Sequence, residues 1–148
     1  MSDNTTRHAP LPGATENRAD DQKPYAAYLL GLADDAMVYA QRLSEWMTNA
    51  PQIEEDMALG NIALDLLGQA RALYPYIGSI DGTGRGEDDF AMQRDEREWR
   101  NVHLVEQERG DFADEMARLL WFSARQVPAV AAGVRPARLT PLDHQGPG

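Results

Sequence analysis

From Tyr25 to Met47 the apolar positions fall at helical spacing, with Leu29, Leu32, Ala33, Ala36, Met37, Ala40, Leu43 and Met47 on one broad face. Pro24 suits the first turn of such a helix, and "TNAP" at 48–51 breaks it. At 1.5 Å per residue the segment would be roughly 35 Å long. A second helix is predicted from Pro51, with Glu54, Glu55 and Asp56 in its first turns, where the helix dipole favours negative charge. Pro75 and Gly78 are expected to close it. So short a connection predicts an antiparallel hairpin. The helical period returns at "GDFADEMARLLWFSAR", with Asp111 as N-cap and Phe112, Met116, Leu119 and Leu120 on the apolar face.

The segments between and around these helices have a different texture. "GSIDGTGRGEDD" is a Gly-rich loop; no strand precedes it and no Gly-Lys-Ser/Thr follows, so it is not a phosphate loop. Residues 1–23 are polar and contain Pro10, Pro12 and Gly13, and are expected to form a disordered arm. Residues 123–148 hold four of the nine prolines, so a helix just begun is expected to stop before Pro128 and Pro136 and leave a disordered tail. The folded part is then one all-α domain over 24–122.

Charge and composition narrow the classes of function. A net charge of −10 argues against nucleic acid, whose phosphates require a basic patch, and against an anionic membrane surface. The chain contains no cysteine, which removes disulfides, thiolate metal sites and a Cys nucleophile. The first residues lack the apolar core of a signal peptide, and no run of about 18 apolar residues exists. A cytoplasmic protein is the expectation.

Polar residues inside the apolar helices are the candidates for chemistry. Asn61, Asp65 and Gln69 lie four apart on one stripe of the second helix, and Asp34, Val38, Gln41 and Glu45 share a stripe on the first. With the turn near residue 50, Asp65 and Asp35 are equidistant from it, so opposed carboxylates are expected at mid-hairpin. Carboxylate-bridged di-iron bundles have this geometry, with Glu on one helix facing Glu-x-x-His on the next. The histidine is missing, because Gly68 stands three residues after Asp65. His8, His103 and His144 have no acidic residue three positions before them, and His103 reads as a surface or packing histidine. No metal site and no catalytic residue are therefore assigned to the chain. What is left is a polar network in which carboxylates are held by hydrogen bonds or by a cation, which could come from elsewhere in an assembly. Alternatively Asp34 or Asp35 points to solvent. No Ser-His-Asp or Cys-His set can be composed, and "DERE" at 95–98 reads as a solvated or salt-bridged face.

Several runs then become specific together: "QRLSEW", "AP-x-x-EED-x-A-L-x-NIALDLLGQAR", "RDERE" and "LVEQ-x-x-GDFA", in that order between about residues 28 and 122. With them the chain resembles the ferritin-like, non-catalytic subunit family of the bacterial phenylacetyl-CoA epoxidase. The resemblance implies a ferritin-like helical bundle, here incomplete, as a helix hairpin plus the start of a third long helix. It implies no cofactor in this chain and a di-iron centre in a catalytic ferritin-like partner subunit. A reductase subunit drawing on NADPH would be an indirect partner, in a complex that epoxidises the ring of phenylacetyl-CoA. On this reading Asp34, Gln41, Glu45, Asn61, Asp65 and Gln69 are the vestigial polar core of a di-iron site. The family's chains are longer, so a truncation or frameshift is expected beyond Phe122, leaving Leu59, Ile62 and Leu66 partly uncovered and prone to association. Trp46, Trp99 and Trp121 are candidate partner contacts. Two competing functions stay open at this level: a stand-alone small acidic helical adaptor, and a di-iron oxidase whose ligands are shared between chains.

Overall fold

The computed structural model describes residues 16–47 and 49–133. Helix α1 runs Glu16–Ser44, α2 runs Ile53–Ile80, α3 is the short Glu87–Met92, and α4 runs Phe112–Gly133. Single 3-10 turns at Glu96–Glu98 and His103–Glu106 punctuate the segment between α3 and α4. No strand occurs among the described residues, and no helix there is long and apolar enough to cross a membrane. The architecture is the expected one: an antiparallel α1–α2 hairpin with a third long helix against α1.

The hairpin packs tightly because its seam is built from small residues. Ala33, Ala36 and Ala40 of α1 and Ala63 and Ala70 of α2 are all buried in the same core, and small side chains let the helix axes approach. Larger anchors, Leu29, Leu43, Leu59, Leu66 and Ile77, fill the space on either side. The α2 seam runs through Leu59, Ala63, Leu66, Ala70, Tyr74 and Ile77. Leu59 and Leu66 are therefore covered, against the expectation that they would be partly uncovered, while Ile62 is half-buried. Met57 and Leu64 point away instead, at 66% and 67% exposure. Adjacent positions of a helix are about 100° apart, so a seam through 59, 63 and 66 turns 57 and 64 outward.

Each helix is longer than the proline rule allowed. Pro24, Pro75 and Pro128 all lie inside helices, so α1 begins before Pro24, α2 continues past Pro75, and α4 continues past Pro128. All three prolines are exposed. On the outer face the carbonyl four residues earlier can turn to water, so the lost hydrogen bond costs least there. Residues 16–23 and 123–133 are thus helix rather than arm and tail; residues 1–15 and 134–148, with His8, Pro136 and His144, lie outside the described residues. α2 starts at Ile53 rather than Pro51, after an extended Gln52. Asp111 caps α4 as expected: the Asp114 N–H donates to its carboxylate at 2.8 Å, and its own N–H reaches the Asp114 carboxylate at 3.2 Å.

The loop after α2 reverses through Gly82 and Gly84, whose φ values of 75° and 68° favour glycine. Asp81 holds it, accepting hydrogen bonds from the Thr83 N–H and hydroxyl. The chain then returns across α2, where Phe90 stacks on Tyr74 with ring centroids 5.3 Å apart.

Candidate functional site

Asp34 and Asp35 are consecutive on α1, so their side chains diverge by about 100°. Both are buried, and neither points to solvent. Asp34 turns towards α2 and α3. Its Oδ1 accepts the Tyr74 hydroxyl at 3.0 Å and Arg94 Nη2 at 2.5 Å. Its Oδ2 accepts Arg94 Nη1 and the Arg100 backbone N–H, each at 2.9 Å. The Arg94 side chain is only 3% exposed. Its guanidinium lies 4.4 Å from the Trp99 ring centroid, and its Nε donates to the Phe90 carbonyl. This is a two-pronged arginine–carboxylate pair under an aromatic lid.

Asp35 turns towards α4. It accepts the Val102 N–H at 2.6 Å and Arg125 Nη1 at 2.8 Å. Arg125 lies in the segment expected to be a disordered tail; it is instead one of three ties from that segment to α1. Gln126 reaches the Leu32 carbonyl at 3.5 Å, and the Tyr28 hydroxyl donates to the Ala129 carbonyl at 2.7 Å.

A third carboxylate sits on α4 itself. Glu115 is buried, accepting Arg118 Nη1 at 2.6 Å and the Tyr39 hydroxyl at 3.0 Å. Arg118 also caps the Glu108 carbonyl at 3.0 Å. Tyr39 packs on Phe122 with centroids 4.4 Å apart. All three buried carboxylates are therefore matched by an arginine of the same chain, and two of them also by a tyrosine hydroxyl. Ion pairs of this kind offset the desolvation penalty only when the remaining lone pairs are also satisfied, as the added tyrosine and backbone donors do here.

The opposed carboxylate stripes do not form. Of the expected polar core only Asp34 is inside; Gln41, Glu45, Asn61, Asp65 and Gln69 are all exposed. The register explains this. Asp34 bonds to Tyr74, so the hairpin is centred nearer residue 54 than 50, and α2 presents Tyr74, not Asp65, to the α1 carboxylates. Asp65 lies off the seam of α2. The cation of the network comes from Arg94, Arg125 and Arg118 of this chain rather than from an assembly. His103 is exposed and pairs with Glu106. Glu96, Arg97 and Glu98 are exposed, as expected for that run. Trp46 is buried against Phe112, Trp99 lids Arg94, and Trp121 is exposed.

These residues do not fit a di-iron centre. Among the described residues no three His, Asp or Glu side chains gather as a metal-binding set, and the oxygens of each buried carboxylate already accept a guanidinium, hydroxyl or backbone N–H.

Burial, reinforced by the neighbouring Glu115 and Asp34 carboxylates, pushes the Tyr39 and Tyr74 hydroxyls well above the ordinary tyrosine range. For Arg94, burial works against the charged form, and its bonds to Asp34 more than restore it. A raised folded-state tyrosine contributes stability that is present below the unfolded value near pH 10 and lost as pH rises further. Stability should thus fall above pH ~10 by about 1.4 kcal/mol per unit for each of these two tyrosines. Tyrosinate absorbance followed with circular dichroism checks this: two of the five tyrosines should ionise only as the helices melt. Five tyrosines ionising together with helicity intact would contradict it.

Comparison with known proteins places these observations in a family. The family model described as "Phenylacetic acid catabolic protein" matches residues 6–133. The chain is 50% identical over 101 residues to one of the subunits of the 1,2-phenylacetyl-CoA epoxidase of Escherichia coli (strain K12). That match covers 68% of this chain and 40% of the relative, so the chain spans well under half of the relative's length.

Proposed function

The chain belongs to the phenylacetic acid catabolic protein family, and on that premise we propose that it is an accessory subunit of a ring-epoxidising monooxygenase acting on phenylacetyl-CoA. Its part is structural, supporting a catalytic ferritin-like subunit that carries the di-iron centre, with a reductase subunit as an indirect partner. The chain itself holds no cofactor and performs no catalysis. The reaction takes place in the cytoplasm.

One observation carries the non-catalytic reading: each buried carboxylate of this helical core is closed by an arginine. A carboxylate gripped by Arg94 through both oxygens supplies structure, since exchanging the guanidinium for a metal would strand a buried cation. The polar interior thus joins α1 to α2, to the α3–α4 segment and to α4, and fixes the helices whose outer faces would meet a partner.

The test is co-expression with a catalytic ferritin-like subunit, affinity capture through this chain, and iron analysis of each separated component. Iron is expected in the partner and only in traces here. Stoichiometric iron in the isolated chain overturns the non-catalytic reading, and failure to capture the catalytic subunit overturns the accessory one.

A further inference from the structure

α4 covers one side of α1, where Tyr39 meets Phe122; another face of the hairpin carries a groove. It runs between α1 at Met37–Ser44, with Met47 in the turn just after it, and α2 at Asp56–Leu67, with α3 at its side. Its volume is about 660 Å³, and ten residues of flanking helix give it a length of about 15 Å. Four of the six methionines of the chain, Met37, Met47, Met57 and Met92, line it. Methionine is unbranched and polarisable, and suits a surface that adapts to an apolar guest.

We propose that this groove takes an amphipathic helix of about three turns that lays an apolar face between α1 and α2 and carries basic residues at its edges. Three features of the groove select that occupant. First, its walls protrude: Met57, Leu64 and Met92 are 66%, 67% and 83% exposed. A small molecule lying in the concavity would leave those ridges in water, whereas a helix, about 10–12 Å across with its side chains, covers them. Second, the charged residues of the lining are Asp56, Glu87 and Asp88, all acidic. α2 carries Glu54, Glu55, Asp56 and Asp65 before its first basic residue, Arg71, which reaches Glu87 at 2.9 Å. With Glu87 already met by Arg71, it is the exposed Asp88 at the edge of this acidic lining where charge complementarity asks for Lys or Arg in the partner. Third, a second copy laid groove to groove would set these carboxylates against themselves, in a chain of net charge −10.

The inference rests on the groove, not on the epoxidase reading. Its test uses the 148-residue chain and two fluorescein-labelled three-turn model helices, one Leu/Lys and one Leu/Glu, with binding followed by anisotropy. The Leu/Lys helix is expected to bind saturably at one site and the Leu/Glu helix not to bind. Leu64→Gln with Met92→Gln, both at exposed positions, should weaken binding about tenfold, as loss of a central apolar anchor does. Asp88→Lys should weaken the Leu/Lys helix severalfold and let the Leu/Glu helix bind. Three results each overturn the proposal: no saturable binding; binding that ignores Leu64→Gln/Met92→Gln and vanishes with salt, which is diffuse charge attraction; or a concentration-dependent dimer, seen by sedimentation, that Leu64→Gln abolishes, which makes a second copy the occupant. A chain that binds the Leu/Lys helix yet fails to capture a catalytic subunit leaves this inference standing and removes only the accessory-subunit reading.

Discussion

Replacing Arg94 by methionine should destabilise the protein by about 3–5 kcal/mol, the usual cost of stranding one member of a buried ion pair. Asp34 would keep the Tyr74 hydroxyl and the Arg100 N–H but lose the two guanidinium bonds that neutralise it. Typical domains are stable by 5–15 kcal/mol, so this variant can approach the unfolding threshold. A double-mutant cycle keeps the test readable. Asp34→Asn alone leaves Arg94 buried without its counter-charge, though still against Trp99 and bonded to the Phe90 carbonyl. Asp34→Asn with Arg94→Met removes both charges and should recover part of the loss, so the two effects combine to less than their sum. Urea denaturation of the four proteins measures this. An Arg94→Met unfolding free energy within about 1 kcal/mol of the parent's would show that the pair is not what ties the α3–α4 segment to the hairpin.

The two hairpin helices were legible because their apolar positions repeat at the helical period over about six turns, and such a signal survives errors at the ends; the third helix was legible from a shorter run of the same period. The ends themselves were misread wherever a proline stood. A proline stops a helix only if the carbonyl it orphans has no alternative partner, and whether that carbonyl faces water is a tertiary fact that Pro24, Pro75 and Pro128 do not announce. The site shows the same limit. Asp34 could be named from sequence, because a carboxylate on an apolar helix needs a partner. Which partner could not, because Arg94 is sixty residues away and sits in a run whose neighbours are solvated. Tyr39, Tyr74 and Glu115 were invisible for a related reason: tyrosine and glutamate at helical spacing read as ordinary core edge and ordinary surface. Arg125 was lost with the misread tail. The stripe of Asn61, Asp65 and Gln69 was a real regularity with the wrong facing. Its placement hung on a turn centred at 50, and a shift of a few residues exchanges inner and outer faces.

Two glycines of α2 should respond to alanine with opposite signs. A Cβ on Gly68 meets nothing within 4 Å, so Gly68→Ala should stabilise the helix by about 0.5–1 kcal/mol through propensity alone. A Cβ on Gly78 would run into the Arg85 carbonyl oxygen and lie 2.9 Å from the Arg85 nitrogen, both backbone atoms. The loop cannot slide away cheaply. The Gly84 N–H donates to the Gly78 carbonyl at 2.8 Å, and the Arg85 side chain bonds Asp81 and Thr83 while its guanidinium lies 4.4 Å from the Phe90 ring centroid. Gly78→Ala should therefore cost about 3 kcal/mol, at the upper end of overpacking penalties and well beyond any gain in propensity. Chemical denaturation of both variants against the parent measures the contrast, and a Gly78→Ala protein as stable as Gly68→Ala would mean that the loop does not rest on the helix. The consequence reaches the polar core, because Phe90 stacks on Tyr74 and Tyr74 holds Asp34. A loop pushed off Gly78 would loosen that stack and let water reach the Tyr74 hydroxyl. Gly78→Ala should then lower the pH at which that tyrosine ionises, while Tyr39, which is held by α4, keeps its resistance.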